Sequence, residues 1–342
     1  MLAVSAHRLR FLSRLLLFVV PLAMLAAGWL AWFATTPVTL KSEPVEFEVL
    51  PGFGLRTTAQ ALAESCTGLH AWQFSLLGRL AGKASEIKAG SYELTGSLSP
   101  WQILTKLTRG DVSQSEITFV EGWTFRQLRS ALDDHPDVRH DAKGIADDEL
   151  LARIGAAEKQ PEGLFFPDTY LFAKRSSDLA ILKRAYRTMN RRLAAEWPAR
   201  DPVLPYATPY QALIMASIVE KETGQAADRP MVASVFTNRL RRGMLLQTDP
   251  TVIYGLGAKF DGNLRKRDLL ADTPYNTYTR PGLPPTPIAL PGMASLKAAL
   301  HPPVSDKLYF VARGDGSSEF SHTLDEHNRA VDRYQRRRNG GG

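Results

Sequence analysis

The chain has a single cysteine, Cys66, among 342 residues. That excludes an intramolecular disulfide and a cysteine-built zinc site. Its seven histidines are scattered, and His322 and His327 lie five apart, a poor spacing for sharing a metal on one helix face. There is no His-Glu-x-x-His, no Gly-x-Gly-x-x-Gly, no Walker loop and no Gly-x-Ser-x-Gly elbow. No metal and no nucleotide or other cofactor is therefore expected. The net charge of +7 is modest. Its clusters, Arg8, Arg10 and Arg14 at one end and Arg333 and Arg336 to Arg338 at the other, are not interleaved with aromatics as a nucleic-acid groove would be. Nucleic acid is not an expected partner. With 44% hydrophobic and 23% charged residues the composition is that of an ordinary globular protein.

Acidic residues are missing from Met1 to Arg14, and charge of either sign is missing from Leu15 to Phe33. A bilayer is spanned by about 20 apolar residues, so this run is long enough. Pro21 and Gly28 are tolerated in membrane helices, and Trp29 and Trp32 stand where amphipathic rings favour the interface. The basic flank predicts a cytoplasmic N-terminus with everything after Thr35 on the far side. A cleaved signal peptide is the alternative, but Ala34-Thr35-Thr36 is a poor cleavage site and the run is long. The expected organisation is a basic N-terminus over 1–14, a transmembrane helix over 15–34, a linker over 35–44, a small α+β subdomain over 45–115, a larger mixed α+β domain over 116–338 and a tail over 339–342. The fold class is α+β.

Within the small subdomain, Val45 to Leu50 alternate like a strand, and Pro51-Gly52 turns the chain. Thr57 or Thr58 can cap a helix running to Glu64. A second helix is expected near His70 to Leu80, a strand over Ala89 to Leu94, and a helix opened by Ser99-Pro100 and closed by Gly110. Beyond it, Glu116 to Val120 alternate, and Thr124 with Gln127 forms a capping box. Gly52-Phe53-Gly54-Leu55-Arg56 and Gly122-Trp123-Thr124-Phe125-Arg126 look like two versions of one strand-turn-helix device. Asp133 to Glu149 reads as polar surface, and Glu162-Gly163-Leu164-Phe165-Phe166-Pro167-Asp168 is unusual for its paired aromatics. Ser177 can cap a long amphipathic helix to Trp197, and Met231 to Arg242 is expected to form another that Gly243 ends. The stretch from Thr273 to Gly292, rich in Pro, Tyr, Asn and Gly, is a loop long enough to be functional. A short helix over Ser295 to His301, a strand over Lys307 to Ala312 and a helix from Thr323 to Arg337 complete the expectation.

The segment IMASIVEKETG, Ile214 to Gly224, holds an acid in an otherwise apolar helix. Thr208, Pro209 and Gln211 open that helix as a capping box, and Gly224 is expected to close it in a left-handed conformation. A carboxyl buried among such side chains is disfavoured in its charged form, which is how a protein obtains a proton donor near neutrality. Glu220 and Glu222 lie about 200° apart on a helix, so they cannot face one cleft. Glu220 shares its side with the small Ala216, Ser217 and Thr223. Around it the sequence offers Gln247, Thr248, Asp249, Tyr254, Tyr275, Asn276, Tyr278 and Asn328, an amide, hydroxyl and aromatic set that suits a carbohydrate. For each tyrosine core packing is the simpler reading, and for Asp249 a helix cap.

The blocks IMASIVEKETG, VASVFTNRLRRGMLLQTDPTVIYGLG, TPYNTYTRPGLPPTPIALPG, LYFVARGDG and FSHTLDEHN, together with EGLFFPDTY, resemble in order and spacing the MltG (YceG-like) family of bacterial inner-membrane endolytic murein transglycosylases. The resemblance runs from about Val45 to Arg333. It implies a LysM-like fold for Val45 to Ser115 and peptidoglycan glycan strands as substrate. It implies cleavage of the β-1,4 bond from N-acetylmuramic acid to N-acetylglucosamine with a 1,6-anhydro end, in wall assembly and control of strand length. The family's catalytic glutamate maps to Glu220. Gln247, Asp249, Tyr254, Asn276 and Tyr278 are the expected sugar-positioning residues. Peptidoglycan synthases and division proteins are the protein partners such a role implies, and the inner membrane, with the catalytic domain periplasmic, is the implied location. One departure is Ser318, where the family pattern leads to histidine. Two alternatives stand beside this reading: a non-cutting glycan-binding scaffold, and a muramidase that uses water with Asp249 as second carboxylate.

Overall fold

The structure of the chain, a computed structural model, describes residues 3–41, 45–50 and 52–336, and the side chains of all of these except 3–16, 46, 48 and 336. Pro51 of the expected turn, Ser42 to Pro44 of the expected linker and the tail from Arg337 lie outside the described residues. The chain is an α+β protein that divides into two compact units. One is Met1–Ser115 with Phe172–Ser176, the other Glu116–Leu171 with Ser177–Gly342.

In the first unit, α1 (Ala3–Thr35) carries the apolar run. Its stretch Leu17–Thr35 has a mean hydropathy of 2.0 and is long and apolar enough to cross a membrane. Strand β1 (Thr39–Leu40) pairs antiparallel with β3 (Cys66–Thr67), and β2 (Val45–Val49) with β4 (Gly90–Leu94). Three helices complete the unit: α2 (Leu55–Ser65), α3 (Ala71–Leu80) and α4 (Pro100–Arg109). Ser99 and Gln102 make the expected capping box, and Gly110 closes α4 in the left-handed conformation. The expected cap of α2 is corrected. The helix starts three or four residues earlier, at Leu55 behind Gly54, and the buried Thr58 turns its hydroxyl back onto the Gly54 carbonyl at 3.1 Å.

The unit's core joins Leu62 of α2, Phe74 of α3, Tyr92 of β4 and Leu104 of α4 with Phe33 and Ala34 from the last turn of α1. The buried Cys66 packs here as a small hydrophobe, its thiol pushed up by burial. The stretch after α1 is no free linker where it is described. The N–H of Val38 donates to the Leu98 carbonyl at 2.9 Å, and β1 follows at once.

Leading into the second unit, strand β5 (Gln114–Thr118), whose first two residues belong to the first unit, begins two residues before the expected strand. Helix α5 (Phe125–Asp133) opens with the Thr124–Gln127 box. The segment expected as polar surface contains β6 (Val138–Arg139) and the start of α6 (Asp147–Ile154), whose Leu150, Leu151 and Ile154 are buried. After β7 (Thr169–Ala173) and β8 (Ser176–Ser177), where the chain passes through the first unit's Phe172–Ser176, come α7 (Asp178–Glu196), α8 (Pro209–Glu222), α9 (Arg229–Arg241), α10 (Asp249–Leu256), α11 (Lys266–Leu270) and α12 (Met293–Leu300). An antiparallel hairpin, β9 (Tyr309–Ala312) with β10 (Ser318–Ser321), and α13 (Leu324–Val331) end it.

Helix α8 is the axis of this unit. Every side chain from Ala212 to Val219 is buried, and α7, α9, α10 and α12 pack around it. Such all-round burial is what an all-round apolar helix requires.

The two copies of the strand-turn-helix device do share a geometry. Gly52 and Gly122 both take positive φ, 91° and 77°. In each the residue after the glycine donates its N–H three residues back, Phe53 to Leu50 and Trp123 to Val120. Only glycine adopts that conformation cheaply, so the turn is written into the sequence.

Candidate active site

Glu220 occupies the last turn of α8. The expected stop is corrected: the helix ends at Glu222 with Thr223 extended, and Gly224 is not among the positive-φ glycines. The chain leaves α8 straight, turns through Gln225, whose N–H donates to the Thr223 hydroxyl, and re-enters as α9 at Arg229. This short return brings the Arg229 guanidinium to 3.2 Å from Glu220 Oε1, with the two side chains 15% and 5% exposed. The other oxygen, Oε2, accepts the Gly292 N–H at 2.9 Å. The environment expected for Glu220 was apolar. The structure instead gives it a guanidinium and a backbone amide.

The long loop ending at Gly292 is fastened to this helix end by backbone groups. The Ile288 N–H donates to the Ser217 hydroxyl, Leu290 exchanges hydrogen bonds with the Gly122 turn, and Gly292 reaches Glu220. A Cβ at Gly292 would sit 1.8 Å from Glu121 Oε1, so a side chain there would have to displace the Glu121 carboxyl. Glu121 is thus a second carboxyl near Glu220. Burial first, and then the charge of Glu220, raise it above the ordinary carboxylate range, against the pull of Arg229.

A cavity of about 700 Å³ opens in the same unit. Its lining includes Thr124 and Arg126 after the Gly122 turn, Lys221 next to Glu220, and Glu162, Tyr254 and Phe260. Glu162 is 6% exposed. Oε1 accepts the Phe125 N–H at 2.9 Å, and Oε2 accepts the Tyr254 hydroxyl at 3.1 Å. Burial outweighs these bonds and pushes Glu162 up to about 7. Burial and the nearby Glu162 in turn raise the Tyr254 phenol above its usual range.

The expected site residues do not gather round one carboxyl. Gln247 is exposed and left-handed, φ 51°, with its N–H on the Thr277 carbonyl. Thr248 donates its hydroxyl to Glu222 at 2.6 Å, and Glu222 is raised by burial. Asp249 begins α10 but does not cap it. Its carboxylate accepts the Tyr278 hydroxyl at 2.5 Å. Asn276 is fully buried, donating to the backbone carbonyls of Leu269 and Ala271 and accepting the Tyr278 N–H. It shapes the loop and has no group left for a sugar. Tyr254 faces Glu162, and Asn328 is exposed on α13. Ser318 begins β10 opposite Ala312.

Sequence reasoning missed Arg229, Glu121 and Glu162. Arg229 did leave a signal, because a cation on the first turn of a helix opposes the macrodipole and calls for a local partner. Glu162 left a weaker one, a lone acid before Leu164-Phe165-Phe166. Scattered as the histidines are, the side chains of Asp133, His140 and Asp178 come within 4.8 Å of one another. Asp178 there accepts the N–H groups of Ala142 and Leu179.

The YceG-like family pattern matches residues 47–333. The chain belongs to this family. It is 38% identical over 271 residues to an endolytic murein transglycosylase of Bacillus subtilis, covering 73% of this chain and 74% of that protein. It is 26% identical over 357 aligned positions to an endolytic murein transglycosylase of Streptococcus pneumoniae, covering 92% of this chain and 64% of that one. The crystal structure of a YceG-like protein from Listeria monocytogenes superposes with a TM-score of 0.54 at 32% identity, over 84% of this chain and 98% of the other.

Proposed function

We propose that this protein is a membrane-anchored lytic transglycosylase of peptidoglycan, with Glu220 as its single catalytic acid and base. The reading rests on the family and on the names of its relatives. The observation that carries it to a residue is the position of Glu220 at the end of the buried α8, with one oxygen on Arg229 and the other on the Gly292 N–H.

In its acid form Glu220 protonates the glycosidic oxygen as the bond from C1 of N-acetylmuramic acid breaks. The resulting carboxylate then takes the proton of the muramic acid C6 hydroxyl. That oxygen closes on C1, giving the 1,6-anhydro ring and returning the proton to Glu220. One carboxyl serves both steps, unlike the two-carboxyl arrangement of most glycosidases. Arg229 and the Gly292 N–H hold the carboxylate of the second step in place, as preorganised donors do.

Residues Val45 to Ser115, as a LysM-like subdomain, would hold or orient the glycan. Gln247, Asp249 and Tyr278 would contact sugar only by giving up the partners described above. The apolar Leu17–Thr35 stretch anchors the chain in the inner membrane. Arg8, Arg10 and Arg14 keep the N-terminus cytoplasmic and place the catalytic unit in the periplasm, where synthases and division proteins are the expected partners and strand length the expected output.

The test is mass spectrometry of peptidoglycan digested with the wild type and with Glu220→Gln. Anhydro-ended fragments from the wild type, lowered about 10³-fold in the variant, are the expected result. Reducing ends would indicate the water-using muramidase, and an inert wild type the scaffold.

A further inference from the structure

The face of α3 that points away from the first unit's core is apolar and uncovered. Trp72 is 60% exposed, Leu76 36% and Leu80 66%. They recur every four residues, so they form one stripe along the helix. Globular surfaces do carry single exposed apolar residues, but an aligned tryptophan and two leucines over about 12 Å of helix are a patch.

What covers this patch follows from its neighbour. The Trp72 ring stacks on Trp29 of α1, with centroids 5.6 Å apart and planes 10° from parallel. Trp29 also stacks on Phe33 at 6.1 Å, and Phe33 is in the unit's core. The anchor helix is therefore built into the unit. Leu17, Phe18, Leu22, Met24 and Leu25, farther back on α1, are exposed apolar residues of the spanning kind. The charge-free run from Leu15 to Phe33 has 19 residues. At 1.5 Å per residue that is about 28 Å, close to the roughly 30 Å of a hydrocarbon core. Its last turn is shared with the protein core. The span has no length to spare, and the unit cannot stand off from the bilayer. Trp29 is held near the interface, and Trp72 with it.

Charge agrees. An open hollow of about 500 Å³ beside the stripe is lined by Arg56, His70, Trp72 and Arg79, with no acidic residue in its lining. Both arginines are exposed. A cationic hollow next to an apolar stripe with tryptophan matches an anionic headgroup above an acyl layer.

We propose that the exposed face of α3 is a membrane-docking surface. Trp72, Leu76 and Leu80 enter the acyl–headgroup boundary beside α1, and Arg56 and Arg79 engage anionic lipid phosphates. Anchor and stripe together give the first unit a fixed attitude on the membrane, where a single spanning helix alone would leave it to swivel. The proposal rests on the reading that α1 spans a membrane, and the test separates the two.

The full chain, in a Cys66→Ser background, carries an environment-sensitive fluorophore on Leu80→Cys or on Met24→Cys. It is reconstituted in vesicles of phosphatidylethanolamine with phosphatidylglycerol, or of phosphatidylcholine alone, containing lipids spin-labelled at the headgroup or deep in the chain. The expected result is that position 24 is quenched by the deep label. Position 80 loses roughly half its emission to the headgroup label, and loses more with phosphatidylglycerol than without, an excess that Arg56→Gln with Arg79→Gln removes. Quenching at 24 with none at 80 overturns the docking surface and leaves the anchor standing. A position 80 shielded from an aqueous quencher but untouched by either lipid label also overturns it, in favour of a second copy or another protein on the stripe. No quenching at 24 overturns the anchor and the docking surface together.

Discussion

Glu220 and Glu162, two carboxyl groups of the second unit, are both withdrawn from water, and they reach that state differently. Glu220 has a guanidinium 3.2 Å from one oxygen and a backbone amide 2.9 Å from the other. Glu162 has a backbone amide and a phenol, and burial pushes it up to about 7. A buried carboxyl can be neutralised by a cation or by a proton. Neutralisation by a proton leaves a group that titrates within the working range. In this unit Glu220 of the VEKE block faces a guanidinium, and Glu162 on the cavity wall is raised by burial.

The largest effect expected from breaking this comparison is on catalysis, the roughly 10³-fold loss in Glu220→Gln given above. Arg229→Ala comes next. It strands the Glu220 charge in a mostly buried place, and unfolding in urea at neutral pH should show a loss of about 3 kcal/mol, with activity falling at least tenfold. Combining it with Glu220→Gln should restore most of that stability, because no unpaired charge remains. A loss in Arg229→Ala that the double variant does not recover would mean that Arg229 acts through packing alone.

Glu162 is tested by pH. Folding moves its proton affinity from the ordinary 4.5 up to about 7. Between those values the folded protein holds a proton that the unfolded chain has released. Stability contributed by the neutral form is therefore complete below about pH 4.5 and is lost as pH rises through 7. The total is about 3 kcal/mol. In Glu162→Gln, where an amide keeps both hydrogen-bond positions without a charge, urea midpoints should lose this decline. An unchanged decline would assign it to another group. Tyr254→Phe is the smallest change. It removes one hydrogen bond worth about 1 kcal/mol. Because that bond favours ionised Glu162, the midpoint of the decline should move to higher pH.

How legible the fold was depended on how local each feature is. The boxes at Ser99, Thr124 and Thr208 and the left-handed stop at Gly110 appear where the sequence places them. A capping residue satisfies amides within three residues of itself, so its effect is local. The α2 start, the end of α8 and the two-residue shift of β5 were not legible, because packing and the route of the return chain set them. Of the proposed site residues, Glu220 stands out in the sequence as an acid beside Glu222 at the end of an apolar helix. Asn276 looks equally polar and turns out to pin its own loop. Whether an amide faces outward or inward depends on carbonyls that only the folded loop brings to it.

The α+β class, the apolar helix at the N-terminus, the family blocks and the helix that carries Glu220 are all readable from the order of residues. These follow from periodicity, composition and short-range capping, all of which act between residues near in the chain. What Glu220 touches, which carboxyl burial raises to about 7, and that the apolar N-terminal helix packs into the first unit's core are set by tertiary contacts. Each of these depends on the loss of water around a group and on partners from distant segments: Arg229 across a helix return, Gly292 from the end of a long loop, Tyr254 beside Glu162, and Trp72 against Trp29. Burial and charge pairing are properties of position in space, and chain order does not encode them directly.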